Sequence, residues 1–230
     1  MSRDQERILE SVHRGELSAD EAHTLLEAMR RPRPPLWRRL LLPLEHMSSG
    51  TALGIACGVA AVSLGLSRLH LRFDGTLDTH LGSAPVAPLV AVLDLLVSWP
   101  LTALVFWAAS RGFARRGGRY VDHLSSVGVA RIPVMLSALV LLAVNPLLPP
   151  MPPPGSDPLQ IDVAAWAVPG LLLAAGTMPF LVLFIALLVT GFRTVSGLRG
   201  ARLAGVFIGA LVAAEVLSKL VLYAAGRALS

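Results

Sequence analysis

Five apolar runs separated by arginine-bearing turns constrain this chain more than any other feature of its sequence. A membrane-spanning helix needs about 20 predominantly apolar residues. The stretch Arg111–Leu148, RGFARRGGRYVDHLSSVGVARIPVMLSALVLLAVNPLL, shows the boundary most sharply. Its opening carries Arg111, Arg115, Arg116 and Arg119, and its end is nearly all Ala, Val, Leu and Ile. Water suits the first part and hydrocarbon the second. Cytoplasmic loops hold the excess of Lys and Arg, so this turn is expected on the inside. Spans are expected at about 49–67, 85–109, 127–147, 163–189 and 203–224. The turn GFRTVSGLRGAR adds Arg193, Arg199 and Arg202 to the inner side, whereas the loop PPMPPPGSDPLQID holds no Lys or Arg and reads as external. The expected fold is all-α: a polytopic membrane protein with a five-helix bundle and a small cytoplasmic helical hairpin, N-terminus inside and C-terminus outside.

Charge agrees with this reading. The chain is 54% hydrophobic with mean hydropathy +0.64. Residues 1–29 hold three basic and seven acidic residues, which leaves +9 on the rest of a chain whose total is +5. That excess flanks apolar runs, as topology signals and anionic headgroups require, and argues against a nucleic-acid footprint. The single cysteine, Cys57, excludes an internal disulfide and a cysteine-based zinc site. The first 35 residues have no apolar signal-peptide core. Arginine outnumbers lysine nineteen to one, which fits a GC-rich bacterial gene and a bacterial cytoplasmic membrane.

Residues 1–30 read as two short helices joined at Gly15. Ser2 with Gln5 and Ser18 with Glu21 make capping-box patterns. Ile8, Leu9 and Val12 share one face, and Ala22, Leu25, Leu26 and Met29 share another. A hairpin this small needs a partner for its apolar stripe, which points to self-association or a protein partner. The segment IL-x-x-V-x-x-G-x-L-S-x-x-E-A-x-x-LL resembles the SHOCT-like hairpins at the ends of many bacterial membrane proteins, and the resemblance implies oligomerisation. Its acidic second helix excludes a DNA-reading role. Residues 31–48 read as a proline-rich linker and an interfacial segment, with Trp37, Arg38 and Arg39 at headgroup level.

Two small-residue stripes lie in the spans. Gly50, Gly54 and Gly58 recur on the first, and Gly205, Gly209 and Ala213 on the fifth, so that another helix could approach closely. Asp94, Ser98 and Thr102 follow one another at four-residue steps on the second span, where Pro100 predicts a kink. An ionisable group facing lipid is costly, so this stripe is expected to turn inward. Glu215 and Lys219 make a same-face pair on the fifth span. At about 1.5 Å per residue, Asp94 and Glu215 both fall near 14 Å from the outer end of their expected spans. The three groups could therefore form one intramembrane polar cluster. Arg131, one turn inside the expected third span, should snorkel to the inner surface. The loop with His70, Asp74, Asp78 and His80 offers ligand types for a metal, but its spacing matches no metal signature. It reads as a solvated outer loop, with neither metal nor cofactor.

The run GGRYVDHLSSVGVARIPVML resembles the signature region of the Yip family, the Ypt/Rab-interacting membrane proteins. The run LLVTGFRTVSGLRGARLAGVFIGALVAA is similar to that family's basic turn between its last two spans. The resemblance covers about residues 48–226. It implies five spans, a cytoplasmic N-terminus and a role in membrane organisation. The short acidic hairpin departs from the long N-terminal tails of the eukaryotic members, so no Rab partner is implied. The chain lacks H-E-x-x-H and G-x-S-x-G, and its six histidines are expected in soluble or loop segments. The reading is thus a non-enzymatic protein that organises or scaffolds membrane. The alternative is a small proton- or ion-coupled transporter built on Asp94, Glu215 and Lys219.

Overall fold

A computed structural model describes residues 3–15, 17–30, 47–73, 75–77, 79–81, 85–114, 118–148 and 163–229. The chain divides into two compact units, residues 1–39 and 40–230. In the first, helices Arg3–His13 and Ala19–Arg30 are joined through Gly15, whose φ of 73° lies in the left-handed region that glycine tolerates. The second helix is capped as its sequence asks. The Ser18 N–H and Oγ–H both donate to Glu21 Oε2, at 2.9 and 2.7 Å, and Glu21 N–H donates to Ser18 Oγ at 3.3 Å. These bonds hold the Glu21 carboxyl below its usual pKa, the backbone bond from Ser18 having the largest effect. Ala22 is buried, Ile8, Val12 and Leu26 are partly exposed, and Leu9 is exposed. Leu25 and Met29 also fall on this helix, but their side chains lie outside the described residues, as do Ser2 and residues 31–46 of the expected linker.

In the second unit, five helical segments are long and apolar enough to cross a membrane: Ser49–Leu69, Pro88–Phe113, Tyr120–Leu147, Ala167–Ser196 and Gly200–Arg227. The turns after Phe113 and after Ser196 share one face of the bundle, here the arginine face. The turn after Leu69 lies on the opposite face, and so does the third span's end at Leu147.

The third span is the hub. Its first half, Tyr120–Ala130, packs on the first, second and fourth spans, and its second half, Ile132–Val144, continues along the fourth. Ser125 to Arg131 are buried without a break, as a helix surrounded on all sides requires. Gly128 makes the closest approach. A Cβ there would overlap Ala56 Cβ of the first span and stand 2.9 Å from Trp99 Nε1 of the second. On the arginine-face half, Phe106 of the second span meets Phe192 and Phe207 of the fourth and fifth edge to face, the latter two are tilted against each other, and the three centroids are 5.3–5.9 Å apart. At the same face Ser49 Oγ donates to Asp122 at 2.8 Å and Arg119 pairs with Asp122 at 3.2 Å.

Two expectations are corrected here, and the placement of the glycine stripes follows them. The third span begins at Tyr120 rather than at about 127, so YVDHLSS supplies its opening turns. His123 is therefore inside a span: it is buried, with Nε2 3.0 Å from Ser110 Oγ. Ser110 Oγ–H donates to Trp107 O, so the Nε2–H tautomer completes the pair. The glycine stripes do not pack the chain's own helices. Gly54, Gly58, Gly205 and Gly209 have no neighbour within 4 Å of a Cβ position, and Gly50 meets only Ser48 Oγ at 3.9 Å. The first span instead buries Ala52, Ala56, Val59, Ala60 and Ser63, and the fifth buries Phe207, Ala210, Ala214 and Ser218. Gly205, Gly209 and Ala213 line an open apolar groove with Val105 and Ala109 of the second span.

Candidate functional site

The site begins with the turn between the first two spans, which is not a solvated loop. Its sequence alternates Leu71, Arg72, Phe73, and that period of two pairs Leu71–Arg72 antiparallel with His80–Leu81. His70, at φ 66°, turns the chain into this hairpin. Leu71, Phe73 and Thr76 are buried. Asp74 and Asp78 lie outside the described residues. The hairpin tip reaches deep. Thr76 Oγ1 lies 2.8 Å from Thr102 Oγ1, fourteen residues into the second span, or about 21 Å at 1.5 Å per residue. Non-helical backbone at such a depth must be buried in protein and fully hydrogen-bonded.

Glu215 takes up backbone groups of the hairpin, and Asp94 holds one of its side chains. Asp94 is 2% exposed and accepts from Arg72 Nε at 3.3 Å and Nη2 at 3.2 Å. Glu215 Oε2 accepts the Thr76 and Leu77 N–H groups at 2.9 and 3.3 Å, and Lys219 Nζ stands 3.9 Å from its other oxygen. The expected cluster is thereby corrected. Glu215 and Lys219 are neighbours, whereas Asp94 faces Arg72, so the hairpin stands where the three groups were expected to meet. The depths differ too. Asp94 is six residues from Pro88 and Glu215 twelve from Arg227, about 9 and 18 Å respectively.

The second span is broken where the hairpin tip arrives. Residues Val97–Leu101 form a π-helical turn around Pro100, which has no N–H to give. Thr102 N–H donates to Trp99 O, one residue short of the α-helical acceptor Ser98 O. Side chains take over the displaced carbonyls. Ser98 O accepts from Thr102 Oγ1 at 3.2 Å and from Arg131 Nη1 at 3.0 Å, and Pro100 O accepts from Tyr120 Oη at 3.1 Å. Trp99 Nε1 donates to Leu124 O at 2.7 Å. The third span breaks at Arg131 itself, between its two helical halves.

Arg131 does not snorkel. It is 3% exposed and eleven residues from Tyr120, about 16 Å along the span, with the Phe73 ring centroid 5.9 Å from its Cζ. The interior offered what the surface would have: a displaced carbonyl and an aromatic face. The polar path thus runs from Arg131 through Ser98, Thr102 and Thr76 to Glu215 and Lys219. Beside the hairpin, a cavity of about 200 Å³ lies between the third and fourth spans, lined by Leu77, Thr79, Ser137, Thr177 and Phe180. Among the described residues, no group of three or more metal-ligating side chains comes together.

Fold and site define a multi-pass, all-helical integral membrane protein with a polar centre plugged by its own hairpin. No family model matches the chain, and neither a curated protein nor a solved structure gives a significant match.

Proposed function

We propose that the chain is a non-enzymatic membrane protein of the Yip type that organises or scaffolds membrane. In this reading it sits in a bacterial cytoplasmic membrane, N-terminus inside and C-terminus outside. It associates through its glycine faces and through the hairpin of residues 2–30. The observation that carries this reading is the outward placement of Gly50, Gly54 and Gly58, which no described side chain covers closely. Small residues on an open helix face let a neighbouring backbone approach, and close approach is what drives association in lipid. The polar centre supports the same conclusion, because both carboxylates are already engaged by the hairpin. Cys57 is exposed beside this stripe and supplies a native probe. A bifunctional maleimide should crosslink the intact protein through Cys57 in its own membranes. Gly54→Leu and deletion of residues 1–30 should each reduce the dimer band. A chain that stays monomeric in all three forms would end the scaffold reading.

The second reading, a proton- or ion-coupled transporter, is favoured by one observation. Two interrupted spans and an inserted hairpin converge at mid-depth, the arrangement in which secondary transporters place their sites. Flux in proteoliposomes that Asp94→Asn abolishes would select it.

A further inference from the structure

Arg131 holds a positive charge that no described side chain balances. Nη1 donates to Ser98 O, but Nε is buried and donates to nothing. Among the described residues no carboxylate pairs with it. Two carboxylates stand on the spans around it. Asp94, one turn before Ser98, is engaged by Arg72, and Glu215 is engaged by the Thr76 and Leu77 amides and by Lys219. A guanidinium withdrawn from water without a counter-charge is strongly disfavoured. What faces it is the Phe73 ring, which offers the negative face of its π-system and no more.

We propose that Arg131 anchors a site for a small monovalent anion of halide size, and that the Phe73 ring holds the anion's place while the hairpin is seated. The size follows from the surroundings. The Ser98 carbonyl and the hairpin flank the guanidinium, so the space that one phenyl ring leaves bounds the anion: a halide fits it and a bulky organic anion does not. The state that binds the anion is one in which Phe73 has withdrawn from the guanidinium. Anion binding and hairpin seating then oppose each other, and by linkage each weakens the other by the same factor. The bonds that seat the hairpin suit such an exchange. Arg72 is one-third exposed, and Thr76 and Leu77 are held by a single carboxylate oxygen. The inference does not rest on the scaffold reading, because a bound anion is compatible with either function.

The test uses the full chain in detergent, exchanged into potassium gluconate and titrated with potassium chloride at constant ionic strength. Equilibrium dialysis with labelled chloride reads binding directly. The wild type should bind chloride saturably. Phe73→Ala removes the competitor and should tighten binding by about tenfold. Arg131→Lys should weaken binding, and Arg131→Met should abolish it. Equal chloride binding by wild type and Arg131→Met would overturn the proposal, as would no saturable binding by either wild type or Phe73→Ala. If Arg131→Met does not fold, wild type against Phe73→Ala decides: tightening supports the competition, and unchanged affinity refutes it.

Discussion

Gly128→Ala should damage this protein more than any glycine substitution on the two small-residue stripes. A Cβ at position 128 would overlap Ala56 Cβ of the first span and come within 2.9 and 3.0 Å of Nε1 and Cε2 of Trp99. None of these atoms is the free end of a flexible chain. Ala56 is held on a buried helix face, and the Trp99 indole is fixed by its 2.7 Å bond to Leu124 O. Overpacking of a fixed site costs about 1–3 kcal/mol. Loss of the indole bond adds about 1 kcal/mol. Against this stands the better helix propensity of alanine, worth about 1 kcal/mol. The net expectation is about 1–3 kcal/mol of destabilisation. Gly54→Ala is the internal control: with nothing within 4 Å of its Cβ position, it should be neutral or stabilising by up to about 1 kcal/mol. Detergent-solubilised wild type and both variants would be unfolded by denaturant titration, followed by Trp fluorescence and by loss of the monodisperse size-exclusion peak. Equal midpoints for Gly128→Ala and Gly54→Ala would refute the close approach of the first three spans.

Asp94→Asn and Glu215→Gln should each lower the thermal midpoint in detergent. The first removes the charge from the Arg72–Asp94 pair, at about 1–3 kcal/mol because that arginine is one-third exposed and screened. The second weakens two amide bonds, at about 1–2 kcal/mol, and unchanged midpoints in both variants would refute the carboxylates' role in seating the hairpin. In the N-terminal hairpin the Glu21 carboxyl lies below its ordinary value of 4.5, so its capping stabilises above that value and is lost as pH falls through its lowered one. Hydrogen exchange in the first turn of Ala19–Arg30 should quicken under acid in the wild type, and Glu21→Gln should flatten that pH dependence; the same acid response in both would discard the carboxylate's role.

The spans were legible because bilayer thickness leaves little freedom. Twenty-odd apolar residues between arginine turns have one economical arrangement. The inward turn of Asp94, Ser98 and Thr102 was legible for a related reason, since a four-residue period in a helix fixes one face and lipid excludes that face. The hairpin was not. Arg72, Asp74 and Asp78 gave the turn the composition of an exposed loop, and the alternation of Leu71, Arg72 and Phe73 is too short a strand pattern to outweigh three charges. Arg131 was misread because snorkelling depends on distance to the surface, and that distance changed when the third span proved to start at Tyr120. The close approach at Gly128 was not legible either, because it is a lone glycine with no repeat to announce it.

The two helix breaks and the buried arginine are one arrangement, not three. Pro100 has no N–H for Leu96 O one turn before it, and at the end of the π-helical turn the Thr102 N–H bonds Trp99 O, so that Ser98 O accepts from side chains. A hydroxyl from the same helix partly meets the need, through Thr102. The remaining donor has to come from another span and be long enough to cross between helices, which selects Arg or Lys over Ser or Thr. Arg131 supplies it from the point where the third span is itself interrupted, so its guanidinium can leave the crowded helix surface. The cost of that solution is a cation in the centre of the bundle. Phe73, delivered by the hairpin, is the local response to that cost, and Glu215 with Asp94 in turn fixes the hairpin that delivers it. The broken turn of one span and the arginine of the next therefore meet at one carbonyl, Ser98 O, with the hairpin's Phe73 against the same guanidinium. Replacing Pro100 with alanine would restore an N–H for Leu96 O and let the turn relax toward α-helix, and faster hydrogen exchange at Thr76 and Leu77 would show the hairpin loosening with it.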